Sequence, residues 1–175
     1  MKKVIFCGGC FWCTEAVFKR LKGVFNVVPG YTGGFIKNPS YNEVCMGNTG
    51  HAEGISIDYN PKIISFVELL EIFFLTHDPT TLNKQGHDVG SQYRSAVFCS
   101  DESQRKAVEK HICSLNSSKV YGNSIVTTVE ILDVFYEAED YHKDYYNQNK
   151  NEMYCQLTIL PKINKLTKNY NSKLK

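Results

Sequence analysis

The sequence predicts an α+β protein, a two-layer α/β sandwich with helices packed on a mixed β-sheet. Three observations carry this. Short apolar runs and helical periods alternate as strand-helix-strand, strand-helix-strand, helix-strand-helix. Two long polar, glycine-bearing stretches, 32–50 and 76–93, interrupt that order, and loops of such length inside a small domain are usually functional. The 175 residues, 42% hydrophobic and 22% charged, suffice for one domain with a sizeable core.

In order along the chain, "KKVIF" (2–6) reads as a strand, Gly8-Gly9 as a turn, and Phe11, Val17, Phe18 and Leu21 as the apolar side of a helix that Gly23 ends. "VFNVVPGY" (24–31) reads as a second strand with Pro29 near its edge. Residues 53–59 alternate, placing Glu53, Ile55, Ile57 and Tyr59 on one face. Ser65 with Glu68 forms a capping box ahead of the apolar run 66–75. "RSAVFC" (94–99) has the composition of a buried strand, and Asp101 opens a helix with Val108, Ile112 and Leu115 inward. "IVTTVEILDVF" (125–135) reads as one long strand and "EAEDYHKDYYNQN" as a short helix. A single catalytic domain is expected over 1–160. Residues 161–175, rich in Lys and Asn, are expected to form an extended, solvated C-terminal tail.

Composition excludes several function classes. Net charge is +2 and there are only three arginines, Arg20, Arg94 and Arg105, so no nucleic-acid surface is expected. No apolar run approaches the roughly 18 residues of a membrane span, and the N-terminus lacks the apolar run of a signal peptide. The chain therefore reads as cytoplasmic; a monomer is expected, although composition does not give the oligomeric state. Seven cysteines, an odd count, argue against a secreted disulfide framework.

Three of those cysteines form "CGGCFWC", Cys7, Cys10 and Cys13. An iron–sulfur or zinc site would need a fourth ligand, and no second paired motif supplies one. A strand, a glycine turn and a helix would place Cys10 at a helix N-terminus, where backbone N–H groups favour thiolate. Cys13 lies one turn on, the spacing that lets one thiol react and a second close a disulfide. Cys7 ends an apolar strand and reads as buried and inert, and Cys45, Cys99 and Cys113 as small core residues. Phe11 and Trp12 cannot both face one core from a helix's first turn, so one should stand beside the thiol, ready for a small apolar group. Glu53 shares the apolar face of its strand; desolvation there would raise its pKa and make it a proton donor. The alternative is that it points to water. A metal-bearing electron-transfer module and a general thiol–disulfide oxidoreductase remain open on these residues alone.

With Gly9-Cys10-Phe11-Trp12, "GYTGG" (30–34), "NPSY" (38–41), "EVC.G.TGHAE" (43–53), "DPTTLNKQGHDVGSQYRS" (78–95) and "AEDYH" (138–142) in view, the chain resembles the type A peptide methionine sulfoxide reductases over roughly residues 4–162. The resemblance implies Cys10 as nucleophile, Glu53 as proton donor, Phe11 and Trp12 as the cage for the substrate methyl, and Tyr41, Tyr93 and Asp88 as stabilisers of the sulfoxide and its transition state. It implies reduction of the S epimer of methionine sulfoxide, free or in oxidised proteins, through a sulfenic acid and a disulfide that thioredoxin reduces, with no metal or bound cofactor. Many members have Gly where this chain has Cys13, and others take a resolving cysteine from a Gly-rich C-terminal segment. Cys13 is therefore expected to resolve, with Cys155 as the alternative that would require the tail to fold over the site. Gly54, where an apolar residue is usual, is expected to loosen its strand.

Overall fold

The computed structural model describes residues 1–175. Strand β1 (Lys2–Gly8) shows how the two layers arise. Side chains alternate along it, so Val4 and Phe6 enter the main core while Ile5 and Cys7 enter a smaller one on the opposite face. β1 lies inside a six-stranded sheet. With β2 (Val24–Thr32), β3 (Ala52–Tyr59), β6 (Ser95–Cys99), β7 (Thr128–Ile131) and β8 (Phe135–Glu137), the order is β7-β6-β1-β3-β2-β8. The pairs are antiparallel except β6 with β7, so the sheet is mixed.

Helices α1 (Phe11–Phe18), α3 (Phe66–Thr76) and α6 (Leu160–Tyr170) pack on one face; Ala16, Val17, Leu70, Phe73, Ile163 and Leu166 join Phe6, Ile55 and Ile57 in a single core. α4 (Glu102–Ser117) starts at Asp101, whose side chain accepts from the Gln104 N–H at 2.8 Å. Ser65 and Glu68 form the expected capping box of α3.

Several expectations give way to packing. The run 125–135 is not one strand. β7 and β8 occupy opposite edges of the sheet, and between them Leu132, with Phe135, covers the smaller core of Ile5, Cys7, Ala52, Ala96 and Phe98. α1 ends at Phe18, five residues before Gly23. The first long loop holds α2 (Tyr41–Cys45), capped by a Ser40–Glu43 box. The second holds the hairpin β4 (Lys84–Gln85) with β5 (Asp88–Val89) and a 3₁₀ turn, Ser91–Tyr93. The "EAEDYHKDYYNQN" segment is a 3₁₀ turn, Asp140–His142, followed by α5 (Tyr145–Gln148) rather than one helix.

The C-terminal tail is not extended. Ile159, Ile163 and Leu166 recur at helical spacing and are buried, so α6 docks along α1 and α3 despite its lysines. Cys45 and Cys113 are exposed rather than core; Cys99 is buried. Gly54 does not loosen β3: a Cβ there would lie 2.5 Å from the Cys7 sulfur, so the missing side chain makes room for the thiol. No helix is long and apolar enough to cross a membrane.

Candidate active site

β1 delivers the chain to a tight turn at Gly9, whose φ of +88° favours glycine and whose Cβ would strike the Gln85 side chain at 2.5 Å. Cys10 is then the N-cap residue of α1, and the Cys13 N–H donates to its carbonyl at 3.1 Å. Both sulfurs are buried and reduced. From β3, Glu53 reaches under the helix start and accepts a hydrogen bond from the Phe11 N–H at 3.0 Å. Glu53 is 1% exposed, and burial pushes its carboxyl up to about 8. The carboxyl is therefore not in water and is mostly protonated at neutral pH.

Cys10 departs from expectation. The Trp12 backbone lowers its pKa, as a helix N-terminus should, but burial outweighs this, and the neighbouring Cys13 and Glu53 add to it. The Cys10 pKa is raised well above that of a free thiol. Cys13 moves the other way, chiefly through its hydrogen bond with Cys10 and then through the charge of Lys162, against its burial.

Around the thiols stands an aromatic wall. Phe11 is fully buried, 6.3 Å from the Tyr41 ring and 4.9 Å from that of His142. Trp12 is only half-buried and stacks on Tyr145 at 3.7 Å and 5°, and its indole N–H donates to His142 Nδ1 at 3.1 Å. His142 thus carries its proton on Nε2. Glu139 ties the wall together, accepting from the Tyr31 hydroxyl at 3.1 Å and the Tyr41 N–H at 3.2 Å. Buried Glu15 of α1 holds the Asp144 N–H with both oxygens, at 2.9 and 3.0 Å, fixing the turn that carries His142 and Tyr145. The hydroxyls of Tyr41 and Tyr93 are raised chiefly by burial, so both remain donors.

Asp88 approaches from another side. A cavity of about 100 Å³ behind the thiols is lined by Gly8, Cys10, Cys13, Asp88, Tyr154 and Lys162, among others. The Tyr154 hydroxyl donates to Asp88 Oδ2 at 2.8 Å and lies 3.6 Å from Cys13 Sγ. Cys155 is fully buried in a π-helical turn, Cys155–Ile159, close enough to Cys13 for their charges to interact. No folding-over of the tail is needed to bring it near, so that argument against Cys155 fails; it does not, however, line the cavity shared by Cys10 and Cys13.

The structure thus gathers Cys10, Cys13, Glu53, Phe11, Trp12, Tyr41, Asp88 and Tyr93 around one helix start. Sequence reasoning missed Tyr145, Tyr154 and Lys162, and left His142 without a role. The last two residues of the motif "AEDYH" were the available signal for His142; nothing short of the α6 stripe pointed to Lys162. No three His, Cys, Asp or Glu side chains are grouped so as to hold a metal ion.

Comparison with known proteins agrees with this chemistry. A family model for peptide methionine sulfoxide reductase matches residues 2–174. The chain is 50% identical to a peptide methionine sulfoxide reductase of Chromobacterium violaceum over 170 residues, 97% of each. It is similar to the solved reduced form of Mxr1 from Saccharomyces cerevisiae, with a TM-score of 0.80, 36% identity and 88% of each chain covered. It also matches Mxr1 in complex with Trx2, with a TM-score of 0.56, 26% identity, and 82% of this chain and 84% of that one covered.

Proposed function

The chain belongs to the peptide methionine sulfoxide reductase family, and from that premise we propose that its reductase chemistry runs through Cys10, Glu53, Tyr41 and Tyr93, with Cys13 closing the disulfide. The protein is an oxidoreductase that reduces methionine sulfoxide to methionine. The substrate methyl rests against Phe11 and Trp12. Its oxygen lies towards the Tyr41 and Tyr93 hydroxyls and the protonated Glu53. As the Cys10 sulfur attacks the sulfoxide sulfur, negative charge grows on the oxygen; the two tyrosines stabilise it and Glu53 supplies a proton. The Cys10 thiol proton balances the one Glu53 gives up. Oxygen is left on Cys10 as sulfenic acid, and methionine departs. Cys13 then attacks that sulfur to form the disulfide, releasing water.

The observation that carries this reading is a buried carboxyl, raised to about 8, at the start of the helix that holds the thiol. Asp88 supports the site by its charge, which raises Glu53 and Tyr93. Thioredoxin, the partner in the Mxr1–Trx2 complex, is the reductant that returns the disulfide to thiols. The enzyme acts as a monomeric catalytic unit in the cytoplasm, on oxidised proteins and free methionine sulfoxide, a location to which the odd count of seven cysteines lends support. Separate assays of the two sulfoxide epimers test the reading: the S epimer should be reduced and the R epimer should not. Equal turnover of both would count against it.

A further inference from the structure

The first half of the reaction has a proton donor in Glu53. The second half has an equal need. When Cys13 attacks the sulfenic acid, the S–S bond forms and the Cys10 S–O bond breaks. Cys13 loses a proton, and the departing hydroxyl must gain one to leave as water. Glu53 has no hydrogen bond to Cys13; its carboxyl is held by the Phe11 N–H, while the side chain in contact with Cys13 Sγ is Tyr154. The Cys13 proton needs an acceptor in direct contact with that sulfur.

The cavity behind the thiols offers one route. Tyr154 commits its hydroxyl proton to Asp88 Oδ2 at 2.8 Å. Its oxygen is left as an acceptor, 3.6 Å from Cys13 Sγ, so in that contact the thiol is the donor. Asp88 lines the same cavity as Cys10. Resting on the assignment of Cys13 as resolving thiol, we propose that Tyr154 is the catalytic residue of the disulfide-forming step, taking the Cys13 proton as it hands its own to Asp88, from which the proton returns to the hydroxyl leaving Cys10. Every atom balances: one thiol proton and one hydroxyl become water, and Tyr154 and Asp88 finish as they began. Lys162 assists electrostatically. Its ammonium donates to the Thr76 carbonyl at 2.7 Å beside this cavity, and its charge favours thiolate at Cys13.

The groups facing Cys13 are few: Cys10 on its own helix, Asp88 from β5, Tyr154 and Cys155 from the segment before α6, and Lys162 from α6, with Glu53 beyond Cys10. Burial raises Tyr154 strongly, with the nearby sulfurs and Asp88 adding to it, so it relays a proton without resting as phenolate.

Single-turnover rapid quench with methionine sulfoxide separates the two steps. Methionine release reports the first, and loss of two thiols together with dimedone labelling of Cys10 reports the second. In Tyr154→Phe, disulfide closure should slow by roughly 10²-fold, the usual contribution of a general acid–base group, beyond any change in methionine release. Dimedone-labelled Cys10 should accumulate. The deficit should shrink as pH rises, because solvent hydroxide then removes the Cys13 proton. Asp88→Asn keeps a hydrogen-bond acceptor but cannot take the proton, so it should share this signature and provides a second test that leaves the ring in place. Closure at the wild-type rate in both variants, or a deficit identical at every pH, would overturn the proposal. A Cys13→Ser protein that still closes a disulfide at the wild-type rate would instead sink the underlying assignment of the resolving thiol.

Discussion

Cys7 and Cys10 stand three residues apart, both buried and both free, and burial raises both thiols. They differ in what surrounds them. Cys7 points to the far face of the sheet among Ile5, Ala52, Ala96 and Phe98, in the space left by Gly54, and is pushed up to about 12. Cys10 turns to the helix face, where Cys13 hydrogen-bonds to it and Glu53 lies close. Desolvation alone therefore produces an inert thiol. Reactivity requires neighbours that can exchange a proton, and a two-glycine turn is enough to move from one environment to the other.

The sharpest way to break this contrast is to remove each sulfur. Cys10→Ser should abolish sulfoxide reduction, while Cys7→Ala should retain most of it. Turnover by Cys10→Ser comparable to wild type would end the contrast. The next largest effect belongs to Glu53. Glu53→Gln keeps the shape and removes the proton, so kcat should fall by about 10²-fold. In the wild type, the donor form is present below about 8, so kcat should decline as pH rises through that value.

The same carboxyl predicts an opposite effect on stability. Its folded pKa lies above its ordinary 4.5, so as pH rises from there the unfolded chain ionises while the folded one does not. Glu53 thus costs nothing below about pH 4 and roughly 3 kcal/mol at pH 7. Urea unfolding should show Glu53→Gln gaining on wild type at pH 7 and losing that advantage near pH 4. A pH-independent difference would mean the carboxyl is already ionised in the fold.

Smaller effects sharpen the Cys7 side. Gly54→Ala forces a methyl against the Cys7 sulfur and should cost about 1–3 kcal/mol. Cys7→Ala alone, a small cavity, should cost about 1 kcal/mol. The double variant should be more stable than the sum of the two, because each makes room for the other. Simple additivity would show that the contact is not felt.

The parts of the site built from local signals were legible. The strand, glycine turn and helix around Cys10, the capping box at Ser65, and the alternation that turns Glu53 inward all act within a few residues, where periodicity and caps decide the structure. What escaped depended on distant partners. Residues 125–135 alternate like one strand, yet Leu132 is needed to cover the far face of the sheet, so the chain leaves one edge and rejoins at the other. The stripe of Ile159, Ile163 and Leu166 was present in the last segment but hidden among lysines and asparagines. With that helix went Lys162, and with the turn before it Tyr154, whose meaning comes only from contact with Cys13 and Asp88.

The most direct test of the central claim, that Cys10 and Cys13 form the working pair, is peptide mass mapping of the protein oxidised by one equivalent of methionine sulfoxide. The account predicts a disulfide between Cys10 and Cys13, with Cys7 and Cys155 free and Cys13→Ser unable to turn over with thioredoxin. A Cys10–Cys155 link, with Cys13 free and Cys13→Ser fully active, would contradict it.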